Sequence, residues 1–295
     1  MIKPPIKSNN TIIPIRFSEK LPSILEYLPL CFKFENNPPK NINNIIGTPI
    51  IIDIKTNPPT RDLQPVNPNQ VLQVKSEISG STHIDIDEIR NFTSELNYPL
   101  YFLDFETIGP AVPIYEGSRP YQQLVFQYSL HIRETSTSEI EHREYLADPT
   151  EDPRIGFIEQ LIQDCAKSGD ILVFNISFER GKLNDLIESF PEYSNELRGI
   201  VNRLKDLMIP FQQKWYYTPE MRGSYSIKSV LPALIPELSY NDLDIKEGGT
   251  ASNTFLSMVN GTFEGDVEET RKQLLEYCEL DTYAMVKILD VLKEV

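Results

Sequence analysis

The sequence predicts an α/β protein, a mixed sheet flanked by helices, and three observations predict it. Early apolar runs alternate with polar residues as half-buried strands do; a later continuous apolar run passes straight into a helical pattern; and the chain closes on one long helix. Strands first, then strand and helix in alternation, indicate a sheet with both antiparallel and parallel pairs.

Length and composition bound the rest. The chain has 295 residues, 40% of them hydrophobic and 24% charged, enough for a proper core. No apolar run approaches the length of a membrane span and no basic-then-apolar leader opens the chain, so no membrane partner and a cytoplasmic location are expected. The three cysteines are far apart and odd in number, which suits a reducing compartment without a disulfide framework. The three histidines, His83, His131 and His142, show no His-x-x-x-His or Cys/His pairing, which argues against a zinc site. The net charge of −15 argues against a broad phosphate-binding surface, so any nucleic-acid contact should be local and cation-assisted.

Residues 1–84 form a Pro/Asn-rich region. Twelve of the 23 prolines stand before residue 70, and proline at that density interrupts helices and sheet ladders, so a loosely structured region is expected. Within it Pro49–Lys55 reads as a short strand carrying Asp53 and Lys55, an ending also found in restriction-type nuclease sites; an ordinary strand with solvated ends fits it as well. Residues 85–295 read as the folded domain. Ile86, Ile89, Phe92 and Leu96 recur at helical spacing, and Asp85 with Glu88 resembles a capping box.

Next comes the stretch around which the chain is organised, Pro99-Leu-Tyr-Phe-Leu-Asp-Phe-Glu-Thr107. In a strand Asp104 and Glu106 share one face while Leu103 and Phe105 take the other. Two carboxylates on an apolar strand repel each other and resist burial, and a hard divalent cation relieves both costs; a strand end facing water is the alternative. Leu124 to Ile132 alternate as a half-buried strand, 141–146 fit a third, and the three suggest an antiparallel meander. Asp152-Pro153 starts a helix with Phe157, Leu161 and Ile162 on its apolar face. Ile171 to Phe174 read as a buried parallel strand, and Asn175, Ser177 and Glu179 open a helix with Leu183 and Leu186 inward. Short elements fill 203–236, including the aromatic cluster Trp215, Tyr216 and Tyr217, which fits either core packing or base stacking. Gly249, Ala251 and Phe255 mark close packing or a turn. The last helix begins near Val267 and runs toward Val295, with a break near Leu280 left open; Tyr277 and Asp281, four apart, share one face beside core-like Leu274, Cys278 and Met285.

DFET on the first strand, NISFERGKL after a buried strand and YCELD on the terminal helix together resemble the DnaQ-like branch of the ribonuclease-H-like superfamily, the DEDD 3′–5′ exonucleases in their tyrosine variant. YPLYFLDFET, FQYSLH, ILVFNISFE, GSYSIKSVLPAL and YCELDTYAMV are similar to an uncharacterised bacterial family of this class, in longer proteins preceded by a RecB-like nuclease domain, of which Asp53-Ile54-Lys55 would be a remnant. The resemblance implies a ribonuclease-H-like sheet. It makes Asp104, Glu106, Glu179 and Asp281 ligands of two divalent ions, Mg2+ or Mn2+, and Tyr277 the group that positions the attacking water. Two departures stand out: Glu179 occupies a position usually held by Asp, and Phe174 one often held by His. In this reading the four acids make sense only with metal, one ion activating water and the other stabilising the leaving 3′ oxygen of single-stranded DNA or RNA. Thr107, Asn175, Phe178, Lys182 and Lys228, with Arg180, are expected on the substrate side. A catalytically weak or inactive module that binds nucleic acid or a protein partner is the alternative, and an endonuclease on the same fold is a third.

Overall fold

A computed structural model describes residues 67–165, 168–240 and 243–295; the strand expected at Pro49–Lys55 and most of the Pro/Asn-rich region lie outside these. The described residues open on helix α1 (Pro68–Ser79), a correction to the loosely structured stretch expected there. Asn67 caps it by accepting from the Asn69 N–H, Pro68 occupies the first turn where its missing N–H costs nothing, and Gly80 closes it in the left-handed region. The two-residue strand β1 (His83–Ile84) leads into α2 (Ile86–Ser94). The capping box there is half made: Asp85 accepts from the Glu88 N–H at 3.2 Å, while the Asp85 N–H goes to the Trp215 carbonyl at 2.6 Å.

The meander follows as β2 (Leu100–Ile108), β3 (Leu124–Arg133) and β4 (Ile140–Leu146), with β2–β3 and β3–β4 antiparallel. Helix α3 (Pro153–Asp164) crosses over to β5 (Asp170–Val173), and α4 (Ile176–Ser189) with α5 (Ser194–Val201) returns to β6 (Leu204–Asp206). Strand β5 runs parallel to both β2 and β6, so the sheet order is β4-β3-β2-β5-β6 with β2 in the centre. The chain then forms α6 (Ile209–Gln212), β7 (Tyr216–Tyr217) paired with β1, α7 (Ile227–Leu234), α8 (Gly248–Val259) and α9 (Val267–Glu294). Helix α9 is continuous through Leu280, which removes the break left open there. The small-residue segment at Gly249, Ala251 and Phe255 is helix α8, with Ala251 and Phe255 wholly buried and Phe255 stacked on Phe126 at 4.1 Å between ring centroids.

The alternation of β2 divides the core in two. Leu100, Phe102 and Ile108 pack under α2, α7, α8 and α9, whereas Tyr101, Leu103 and Phe105 pack under α3, α4 and α5. The molecule over these residues is therefore α/β, a mixed sheet with helices on both faces. Among the described residues no helix is long and apolar enough to cross a membrane.

Candidate metal centre

Asp104 and Glu106 stand on the α9 face of the central strand, as period two requires. The pairing of β2 with β3 shifts register between Glu106 and Thr107, a bulge that ends the regular ladder beside the second acid. Helix α9 crosses this face and delivers Asp281. Carboxylate oxygens of Asp104, Glu106 and Asp281 lie within 4.8 Å of one another, with Glu106 and Asp281 buried and Asp104 in partial contact with solvent.

Glu179, on the first turn of α4, stands outside that set of three but close enough for its charge to act on Asp104. It is 2% exposed, and its Oε2 has no hydrogen-bond partner. A buried carboxylate oxygen without a partner is costly, and a cation or a hydrogen-bond donor would relieve that cost.

The electrostatics point the same way. Desolvation raises all four acids: Asp104 well above the ordinary range, with Asp281, Glu179 and Glu106 adding repulsion; Glu106 to about 8, with Asp281 adding; Glu179 to about 8, with Asp206 adding. Asp281 rises only to about 6, because hydroxyls of Tyr240 and Tyr277 and the charge of Lys228 oppose its burial. Ionised together, the acids would carry charges that the protein itself balances only in part, which is why burial and repulsion favour their protonated forms.

Three groups around the cluster escaped the sequence reading. Tyr240 donates to Asp281 Oδ1 at 2.6 Å. Cys278, expected as plain core, is wholly buried but sets its thiol 3.8 Å from Asp104 Oδ2. Gly248 begins α8 against the site, where an added Cβ would stand 3.4 Å from Glu106 Oε2 and 3.8 Å from the Tyr277 hydroxyl. Tyr240 and Gly248 sit 41 and 33 positions before Asp281 (281 − 240 and 281 − 248), with no local pattern to announce them.

Asp206 is a further acid missed in the sequence, and its role is architectural. It ends β6 and accepts the backbone N–H groups of Asn175, Ile176 and Met208 at 3.1, 3.2 and 2.9 Å. Asn175 holds φ 87°, so these bonds secure a strained turn that launches α4 and aims Glu179.

The expected substrate-side residues divide. Lys228 is at the site: its ammonium donates to the Lys246 carbonyl at 2.7 Å and lies 5.3 and 5.1 Å from the Tyr240 and Tyr277 ring centres. Tyr277 is buried, and burial with three neighbouring acids holds its hydroxyl protonated well above its usual range. Thr107 is buried, and Asn175 leaves its side chain exposed without a capping bond. Phe178 packs on the core under α3 to α5, and Lys182 is paired with Asp185 at 2.7 Å. Arg180 is exposed. Of the two readings of the aromatic cluster, packing holds: Trp215 meets Phe92, Tyr216 meets Phe211, and Tyr217 bonds Glu77.

Comparison with known proteins gives relatives rather than a function. A family model described as a domain of unknown function (DUF2779) matches residues 101–226, under half of the chain. That span includes Asp104, Glu106 and Glu179 but not Asp281. The chain is 27% identical over 223 residues to an uncharacterised protein of Mycoplasma pneumoniae, the MG366 homolog, covering 68% of this chain and 33% of that one. It is also 27% identical over 222 residues to the uncharacterised MG366 of Mycoplasma genitalium, covering 69% and 33%. An uncharacterised protein of Ureaplasma parvum, UU173, is 28% identical over 213 residues, covering 63% and 30%. The chain thus spans about a third of the length of the curated relatives it matches. No solved structure matches.

Proposed function

We propose that the chain is a metal-dependent 3′–5′ exonuclease of the DnaQ-like, ribonuclease-H-like class, hydrolysing phosphodiesters of single-stranded DNA or RNA. The observation that carries this reading is the meeting of Asp104, Glu106 and Asp281 oxygens within 4.8 Å, beside a buried Glu179 whose Oε2 has no partner. Carboxylates at that spacing repel unless a cation stands among them, and hard divalent ions take oxygen ligands. The sheet order β4-β3-β2-β5-β6, with the first acids on the central strand, supports the fold resemblance.

Asp104, Glu106, Glu179 and Asp281 are the groups that would hold the ions. When bound, two such ions supply positive charge to a phosphodiester and lower the pKa of water. Tyr240 fixes the orientation of Asp281 by donating to Oδ1. Tyr277 keeps its proton and so serves as a donor that orients water or phosphate, not as a base. Lys228 adds the charge that the acids lack, since it stabilises ionised Glu106 and Asp281. These local charges let an acidic protein hold a phosphate without a basic surface.

The test is a 5′-labelled single strand incubated with the full chain and magnesium or manganese. A ladder of products shortened from the 3′ end, absent in Asp104→Asn and Asp281→Asn, is expected, with a circular single strand left uncut. Binding of the strand without cleavage, unchanged by Asp281→Asn, would instead favour the interaction module, a reading that the position of Glu179 outside the close set recommends.

A further inference from the structure

A second group of metal-ligating side chains meets on the α9 face of the sheet, and the nuclease reading does not use it. His131 on β3 and His142 on β4 are direct cross-strand partners, their rings stacked with centroids 4.5 Å apart. Glu279 on α9 brings a carboxylate oxygen to 3.8 Å from His142 Nδ1. One donor atom from each of the three lies within 4.8 Å of the others. Tetrahedral ligands at about 2.0 to 2.1 Å from an ion stand roughly 3.4 Å apart, so the donors need close by little more than about 1 Å. His142 and Glu279 are only partly buried and have room to turn.

The hydroxyls behind the histidines set their protons. Thr282 Oγ1 donates to the Glu279 carbonyl at 3.0 Å, which can only accept, so Thr282 must accept from its other neighbours. Those are His131 Nδ1 at 2.8 Å and Ser129 Oγ at 2.7 Å. With the Ser129 proton directed to Thr282, Ser129 accepts in turn from His142 Nε2 at 2.9 Å. This order puts the N–H groups on His131 Nδ1 and His142 Nε2 and leaves Nε2 of His131 and Nδ1 of His142 as the nitrogens that could face an ion. His142 Nδ1 and the Glu279 carboxylate then face each other at 3.8 Å. Burial and His142 keep His131 uncharged, down to about 3. Imidazole held by a hydrogen bond at its far nitrogen is the usual form of a metal-ligating histidine.

We propose that His131, His142 and Glu279 form a second cation site, distinct from the carboxylate cluster and suited to a zinc-class ion, with water in the fourth position. Two imidazoles and one carboxylate are a donor set for zinc, whereas an all-oxygen set suits magnesium or manganese. Glu144, paired across the strands with Ser129, lies near enough to His142 and Glu279 to feel both and adds negative potential. The ion would tie α9 to the meander three residues from Asp281's neighbour Thr282 and so steady the helix that carries Asp281. The histidines form no His-x-x-x-His motif and no Cys/His pair along the chain; the β3–β4 register supplies their pairing.

The metal-stripped full chain is titrated with zinc against a chromophoric chelator, and separately with cobalt, whose visible absorption reports tetrahedral nitrogen and oxygen ligation. Beyond any zinc held by the carboxylate cluster, one equivalent is expected that is kept in Asp104→Asn, weakened at least 100-fold in His142→Ala and in Glu279→Gln, and weakened roughly 10-fold in Thr282→Val. Melting curves confirm that each variant is folded; zinc should raise the melting temperature of the parent and not of His142→Ala. Zinc and cobalt binding no tighter than millimolar, or binding lost with Asp104→Asn and kept with His142→Ala, overturns the proposal and leaves the nuclease reading to its own test.

Discussion

Glu179→Gln separates a functional acid from a structural one. Raising this carboxyl from 4.5 to about 8 places its ionised form on the order of 4 to 5 kcal/mol above the solvated reference at high pH, at 1.36 kcal/mol per tenfold in proton affinity. Glutamine removes that charge at constant shape but leaves a buried amide underbonded, as Oε2 is now, which offsets about 1 to 3 kcal/mol. The net expectation for metal-free protein at pH 8 is a gain of about 2 kcal/mol, roughly 4 to 8 °C in melting temperature for a domain of this size. The sign follows from proton linkage. Between 4.5 and about 8 the folded state binds more protons at Glu179 than the unfolded state, so wild-type stability falls as pH rises through that window. The gain of the variant should therefore fade toward pH 4.5. Manganese should reverse the order, because wild type is stabilised by mass action and the variant has lost a ligand. Thermal melts at pH 5 and 8, with and without manganese, make the measurement. A variant that melts at or below wild type at pH 8 without metal, or that gains as much from manganese, refutes the reasoning.

The remaining expectations concern neighbours of the site and the core that positions it. Tyr240→Phe deletes the 2.6 Å hydrogen bond to Asp281, worth about 1.5 to 3 kcal/mol for a charged acceptor, so the metal-free melt should drop by roughly 3 to 12 °C and manganese affinity should fall roughly 10- to 100-fold; thermal melts and isothermal titration read this. Asp206→Asn sets an amide against three backbone N–H donors and should cost about 1 to 3 kcal/mol, with faster hydrogen exchange at Asn175 and Ile176 than in wild type. Phe255→Ala removes a wholly buried ring stacked on Phe126 and should lower unfolding free energy by about 3 to 5 kcal/mol in a urea titration. The metal-free parent should lose stability from pH 5 to 8, since Glu106 titrates at about 8 folded and 4.5 unfolded, and a melt series that rises with pH would contradict the cluster.

By itself the sequence determined whatever repeats with the backbone. Period two on β2 placed Asp104 and Glu106 together and opposite Leu103 and Phe105, and the four-residue spacing on α9 put Tyr277 beside Asp281. The meander, the parallel strand β5 and helices α3, α4 and α9 were legible for the same reason: side-chain direction along one element follows from its rise and turn. Helix α1 was hidden because prolines were read as breakers where Pro68 is a starter, and α8 because its small residues carry little apolar signal. What only the tertiary structure decided is which elements meet. Asp206 acts on a turn about 30 residues away, Tyr240 and Lys228 reach the acids from separate segments, and His131 finds His142 through strand register. Trp215 to Tyr217 fitted core packing better than bases by residue type alone, and β1, α1 and α2 supply the partners they pack on. Encounters of that kind depend on crossing, register and close packing among distant segments, and no local period encodes them.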